Sequence, residues 1–170
     1  GQVLLETEQV LLEAFRTRQF PAVILRVAGI YGPGRGHLFK QFLNREARIE
    51  GRGDRFLNMI HLDDLVQVII AALKRGHAGE IYNVVDDEPV TELHFFHWLA
   101  ETFCQPLPPH GPPADPADHK RGLAHRRILN RKVKMELGCQ LKHSTFRQGY
   151  TDEIYRLDQA GELDQPHQRS

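Results

Sequence analysis

AVILRVAGIYGPGR, residues Ala22 to Arg35, joins an apolar run to a Tyr-Gly-Pro-Gly-Arg turn. Six of the seven residues from Ala22 to Ala28 are apolar, which reads as a parallel strand covered on both faces rather than a half-exposed strand with polar alternation. Gly29, Gly32, Pro33 and Gly34 then end the strand and let the backbone turn tightly. In open α/β sheets ligands sit beyond the carboxyl ends of strands, so this loop is expected to border a binding crevice.

The flanking sequence supplies the helices such a strand needs. Val3 to Arg18 carries Leu4, Leu5, Leu11, Leu12 and Phe15 at helical spacing, with Glu6, Glu8, Glu13 and Arg16 elsewhere, and Pro21 closes it. Leu38, Phe39, Phe42 and Leu43 predict a short helix, and EGRGDR, residues 50–55, a polar loop. Phe56 to Leu62 is a second apolar stretch, after which Asp63 and Asp64 are placed to accept hydrogen bonds from the first turn of a helix through Leu65, Ile69 and Leu73. Lys74, Arg75 and Gly76 end that helix, and EIYNVV, residues 80–85, is the next strand. Strand, helix and strand in about thirty residues make a βαβ unit. Beyond it, Thr91 caps a helix with Leu93, Phe96, Ala100 and Phe103 on one face, and Pro106 to Pro116 interrupts regular structure. Asn130 to Leu137, ended by Gly138, and the run through Phe146, Tyr150 and Ile154 predict two more helices. The chain past Leu157 is polar and is expected to fray.

Composition narrows the class. The 170 residues are 41% hydrophobic and 26% charged with a formal net charge of zero, a globular balance that argues against wholesale nucleic-acid binding. No apolar run approaches the ~20 residues that cross a bilayer, and no secretory n-region and h-region open the chain. Cys104 and Cys139 are too few for a disulfide framework and read as free thiols. The expected location is the cytoplasm.

Three blocks, AVILRVAGIYGPGR, GDRFLNMIHLDDLVQVIIAAL and GEIYNVVDDEPVT, resemble in order and spacing the second half of an extended short-chain dehydrogenase/reductase of the NAD-dependent epimerase/dehydratase type. The resemblance covers roughly residues 1 to 150. It implies an α/β fold: a partial Rossmann-type parallel sheet with helices, plus a small mostly helical substrate lobe. Residues 1–85 would be the C-terminal part of the NAD(P)-binding domain, 86–157 the substrate-binding lobe and 158–170 a polar tail. The exposed side of such a partial sheet should be sticky. The implied cofactor is NAD or NADP and the implied partner a small-molecule substrate, with no membrane and with a homodimer left open.

The sequence departs from that family in two ways. No G-x-x-G-x-x-G or G-x-G-x-x-G occurs, the turn whose backbone amides hold a pyrophosphate, and the family's Tyr-x-x-x-Lys pair is absent. The chain therefore reads as a portion of a longer protein, a naturally short product being the alternative. Catalytic residues are unassigned, and the 170 residues alone are expected to be inactive.

The resemblance places Val27, Ala28, Gly29 and Ile30 near the nicotinamide ring, and Ala28 and Gly29 allow the close backbone approach a flat ring needs. Ordinary strand packing would account for the same residues. Epimerases of the family place a substrate-contacting asparagine where Gly29 falls, a departure that tells against a nucleotide-sugar. Tyr31, Arg35 and Arg55 are the candidate substrate contacts, since guanidinium geometry suits phosphate or carboxylate, against the default of solvated surface arginines. Arg26, inside the apolar strand, reads as one half of a structural ion pair.

Weaker patterns are set against plainer readings. His61 and Asp63 suggest an acid/base pair, but Asp63 has a sufficient role at a helix start. His94 and His97 at i, i+3 permit a shared metal, yet no third ligand follows at a recognisable spacing, so no metal is expected. Lys120, Arg121, Arg126, Arg127, Arg131, Lys132 and Lys134 form a basic run with no acid; lacking interleaved aromatics, it points to an anionic substrate or a solvated face ahead of nucleic acid. The best overall reading is part of an oxidoreductase or epimerase-like protein that transfers hydride. The alternative is a non-catalytic NAD(P)-binding sensor or scaffold of the same fold.

Overall fold

The computed structural model describes residues 2–111 and 126–163. Residues 112–116 of the Pro-rich stretch, Lys120 and Arg121 of the basic run, and residues 164–170 of the tail lie outside the described residues.

Strand β1 (Ile24–Val27) runs parallel to β5 (Ile81–Val84), with Ile24 opposite Ile81 and Val27 opposite Val84. Strand β2 (Gly29–Tyr31) runs parallel to β4 (Met59–His61), with Tyr31 opposite His61. Ala28 is where the chain changes partners: its N–H donates to Val84 O at 3.0 Å, and the next amide, Gly29, donates to Asn58 O at 3.1 Å. Gly29 therefore opens a second strand, where the sequence reading made it a strand end. The expectation of coverage on both faces also needs correction, because only Ile24 of β1 is buried while Arg26 and Val27 are exposed. A short antiparallel pair, β3 (Phe56–Leu57) with β6 (Val90–Thr91), borders the same region.

Helix α1 (Gln2–Arg18) forms as its periodicity predicts but buries only Ala14. Val3, Leu4, Leu5 and Val10 are all exposed, while Leu11, Leu12 and Phe15 are half-buried, Phe15 lying over Gly79, so only the C-terminal half of the stripe that the sequence assigns to a core is covered by the described residues. Arg26 finds its ion-pair partner on this helix, with Nη2 2.6 Å from Glu8 Oε2. Because Leu4 and Val10 touch so little, Leu4→Glu combined with Val10→Glu is expected to change stability by no more than about 0.5 kcal/mol. Self-association by light scattering should fall; a loss above about 1 kcal/mol in urea unfolding would show that this face is packed.

The sequence places the remaining helices well. Helix α2 (His37–Leu43) follows the glycine turn and buries Phe39 and Phe42. Helix α3 (Leu62–Arg75) joins β4 to β5 and buries Asp64, Leu65, Val68, Ala71 and Ala72. Helix α4 (Glu92–Thr102) is capped by Thr91, whose side chain accepts from the His94 N–H. Helix α5 (Arg131–Leu137) ends at Gly138 with φ 59°, and α6 (Phe146–Gln159) starts from a Thr145–Gln148 capping box.

Two apolar clusters result. One is aromatic and draws Tyr31, Phe39 and Met59 from before residue 85 together with Phe95, Phe146 and Tyr150 from after it. The other packs Ile60, Val68, Tyr82 and Val84 against Val133 and Leu137 of α5. No helix of the described residues is long and apolar enough to cross a membrane.

Candidate functional site

Where β1 hands over to β2, a cavity of about 500 Å³ opens, within the range of small-ligand sites. Val27, Ala28, Gly29, Ile30 and Tyr31 all line it, joined by Arg55 to Met59 from the second apolar stretch, Gly36 to Leu38 from the start of α2, and Phe95, Ile128 and Tyr150. Six of the seven candidate residues thus meet in one place. Arg35 does not join them: it is exposed beside a smaller cavity of about 260 Å³ with Lys40, Glu153 and Arg156. The two arginines therefore do not flank a single crevice. The turn that leads into Arg35 is pinned, since Gly34 N–H donates to Glu153 Oε1 at 3.2 Å.

Most polar groups of the large cavity are already partnered. Arg55 Nη2 donates at 2.8 Å to Oε1 of Glu92, a glutamate with no exposed surface, and Arg55 Nε lies 3.5 Å from Glu50 Oε2. The second oxygen of Glu92 accepts from the Glu50 N–H at 3.1 Å. Asn58 clamps the segment after residue 125: its Nδ2 donates to Arg126 O at 2.8 Å and its Oδ1 accepts from the Ile128 N–H at 2.9 Å. Asn58→Ala removes both bonds, and an expected loss of roughly 1–2 kcal/mol should be accompanied by faster amide exchange at Ile128. Unchanged exchange there would show that the clamp does not hold the cavity wall.

Two phenols face this space. Tyr31 and Tyr150 stack with centroids 4.6 Å apart. Burial pushes both phenols well above the usual tyrosine range, so they are hydrogen-bond donors rather than bases. The Tyr31 hydroxyl donates to Thr145 O at 3.3 Å. Tyr150 Oη has no such partner among the described residues and lies against Gly36, where an added Cβ would fall 2.7 Å from it. Gly36, at φ 111°, thus admits the phenol as well as the backbone turn.

Beside the cavity is a buried polar group that sequence reasoning missed. The cap of α3 is His61, whose Nδ1 accepts from the Asp63 N–H at 3.2 Å, and not an aspartate as the sequence suggested. Asp63 is exposed, with Oδ2 3.9 Å from His61 Nδ1, a helix-start contact rather than an acid/base pair. Burial first, and His143 second, holds the His61 imidazole below its usual pKa, in keeping with an acceptor nitrogen. Asp64 is buried and turns away from its own helix, accepting from the Lys142 N–H at 2.7 Å and the His143 N–H at 2.9 Å. The His143 ring lies between Asp64 and Asp152, with Nδ1 3.3 Å and Nε2 3.2 Å from their oxygens, and its centroid is 3.7 Å from that of His61.

His61, Asp64 and His143 bring ligand atoms within 4.8 Å of one another, but His61 Nδ1, the Asp64 carboxylate and both His143 ring nitrogens are engaged in these internal bonds. Two imidazoles on one zinc, each with Zn–N of about 2.0–2.1 Å, also radiate from the ion rather than stack. His94 and His97 are both exposed on α4. One signal for Asp64 was present: it lies at i with Val68, Ala71 and Ala72 at i+4, i+7 and i+8, on the apolar stripe.

Comparison with known proteins places this geometry in context. Residues 5–85 match the NAD dependent epimerase/dehydratase family. A dTDP-D-glucose 4,6-dehydratase of Homo sapiens is 34% identical over 73 residues, 39% of this chain and 21% of that protein. Among solved structures, a conserved protein of unknown function from Silicibacter pomeroyi is 34% identical with a TM-score of 0.71, over 82% of this chain and 50% of that one. DesIV of Streptomyces venezuelae, a dTDP-glucose 4,6-dehydratase solved with NAD and TYD bound, shares the fold at 22% identity and a TM-score of 0.73, over 89% and 48%. The chain thus spans about half the length of the solved structures it matches.

Proposed function

Since its residues 5–85 belong to the NAD dependent epimerase/dehydratase family, we propose that this chain carries the nicotinamide and substrate end of an NAD(P) site. The protein it belongs to would be an oxidoreductase or epimerase/dehydratase that transfers hydride to or from a small molecule. The observation that carries this reading is the strip Val27–Ile30, which lines the large cavity where two parallel strand pairs meet. Gly29 keeps that wall low: a Cβ there would fall 3.4 Å from Asn58 O, so a flat ring can approach the backbone. Bound nicotinamide would supply the hydride chemistry; the chain's own residues shape the space and exclude water from it.

The residues fit the ring but not the whole cofactor. No G-x-x-G-x-x-G or G-x-G-x-x-G occurs in the sequence, and that motif supplies the amides that hold a pyrophosphate. Residues 1–85 serve as the C-terminal part of the cofactor domain and 86–157 as the substrate side. A cytoplasmic setting and a homodimer go with this reading. Calorimetric titration of the folded chain with NAD⁺ and NADP⁺ is expected to show no micromolar binding and no turnover. Micromolar affinity or turnover would mean that a complete site is present and that this division is wrong.

One observation favours a second reading, a non-catalytic NAD(P)-binding sensor or scaffold. No lysine lines the cavity among the described residues, so nothing there would lower a tyrosine pKa for proton transfer, and burial drives both phenols upward.

A further inference from the structure

The charge and hydrogen-bond inventory of the large cavity points to the class of molecule it accepts. Arg55, the half-buried arginine among the described lining residues, is held by Glu92 at 2.8 Å and faced by Glu50 at 3.5 Å. The three groups together carry an excess of negative charge, and a phosphorylated ligand entering there would meet a cation already neutralised. Asn58 spends its amide on Arg126 and Ile128, and Tyr31 gives its hydroxyl to Thr145. The nearby cations Arg127, 5.4 Å from the Phe56 ring centroid, and His37 are exposed, where solvent screens them.

What remains is largely apolar surface and, among the described residues, the Tyr150 hydroxyl as a donor without a protein partner; Arg55 Nε also lacks a hydrogen bond but is sealed from water beside Glu50. Tyr150 is buried, lines the cavity, and its hydroxyl has no hydrogen-bond partner among the described residues. Its hydroxyl is not among the atoms sealed from water, so it opens to the cavity, where the acceptor oxygen of a ligand can replace water on it. Its hydroxyl lies beside Gly36, a second lining residue, and its ring is fixed by the stack on Tyr31 and by Phe39 at 4.9 Å. A donor held rigidly in an apolar cavity suits an uncharged acceptor oxygen.

We propose that this cavity takes an uncharged, apolar carbonyl compound or the corresponding alcohol, its oxygen on the Tyr150 hydroxyl, and that it rejects phosphorylated molecules. The proposal rests on the reading of the cavity as the substrate end of an NAD(P) site and names the substrate class for it. Tyr150 is the group that touches the ligand, and Glu92 and Glu50 offset the charge of Arg55 beside it.

The test is a chemical-shift titration of the ¹⁵N-labelled chain with acetophenone as the neutral carbonyl probe and UDP as the phosphorylated one. Acetophenone is expected to shift the amides of Gly29, Met59 and Phe95 at millimolar concentration, and UDP at the same concentration to leave them in place. Tyr150→Phe should weaken acetophenone about threefold to tenfold, the value of one neutral hydrogen bond, with an unchanged melting temperature. UDP shifts at these amides in the wild type, equal acetophenone affinity in the variant, or no acetophenone shifts would each overturn the proposal. Nicotinamide added to the same sample separates the two levels. Shifts at Ala28 and Gly29 without any acetophenone response leave the cofactor reading standing and remove this one, and acetophenone binding without a nicotinamide response does the reverse.

Discussion

Asp64→Ala is expected to lower the unfolding free energy by about 3–5 kcal/mol, the range for removing one member of a buried charged network. Asp64 is 1% exposed and holds the entry to α6 from the start of α3, a span of 78 and 79 residues along the chain. Without its carboxylate two backbone N–H groups, at Lys142 and His143, lose their acceptor inside the protein, each at a cost of about 1–3 kcal/mol. The His143 ring loses one of its two carboxylate partners as well. Asp64→Asn keeps one acceptor oxygen and should fall between the two. Urea unfolding reads the result: a loss below about 1 kcal/mol for the alanine variant would show that α6 is held by its aromatic packing alone.

Asp86→Asn should remove a fall in stability with rising pH that the wild type shows between about pH 4 and pH 8. Burial pushes the Asp86 carboxyl from its ordinary 3.8 up to about 8, against a smaller opposing effect of the Glu88 N–H. Its Oδ2 is sealed from water without a donor, an environment that favours the neutral acid. The sign follows from proton counts. In that window the folded state keeps a proton that the unfolded state has released, so each added pH unit lowers stability by roughly 1.4 kcal/mol. Below the window both states are protonated and the slope vanishes; above it both are ionised. The asparagine variant has no such proton and should lack this fall, keeping only the opposite slope of groups such as His61, whose lowered pKa makes stability rise with pH, and it should be more stable than the wild type at pH 7. A wild-type profile that rises from pH 4 to pH 8 would contradict the assignment.

The legible and illegible parts of this chain differ in physical kind. Helix positions were readable because periodicity and capping are local: Thr91 before α4, Gly138 after α5 and the βαβ unit around α3 all carry their signals within a few residues. The strip Val27–Ile30 comes from the family resemblance, and what the local pattern marks is the turn after it, at Gly32, Pro33 and Gly34. Partners are not local. Nothing in Ala22–Ala28 announces that Ala28 bonds to β5 while Gly29 bonds across to Asn58, which is why the run was read as one strand instead of two. Arg55 reads as a free surface cation until Glu92, 37 residues later, is brought to its side. Histidine is outside the usual set of capping residues, so His61 was passed over in favour of the two aspartates beside it. The stripe of α1 is apolar as read, and only the fold shows that its N-terminal half, Leu4 and Leu5, is left exposed while Leu11, Leu12 and Phe15 are half-buried.

The most direct measurement is a chemical-shift titration of the chain with nicotinamide and, separately, with ADP. On the proposed function, Val27–Ile30 form the ring end of an NAD(P) site, while no G-x-x-G-x-x-G or G-x-G-x-x-G occurs to hold the pyrophosphate. Nicotinamide at millimolar concentration should therefore move the amides of Ala28, Gly29 and Ile30, while ADP moves none of them and binds nowhere with micromolar strength. ADP binding at that strength, or a cavity that ignores nicotinamide, would contradict it.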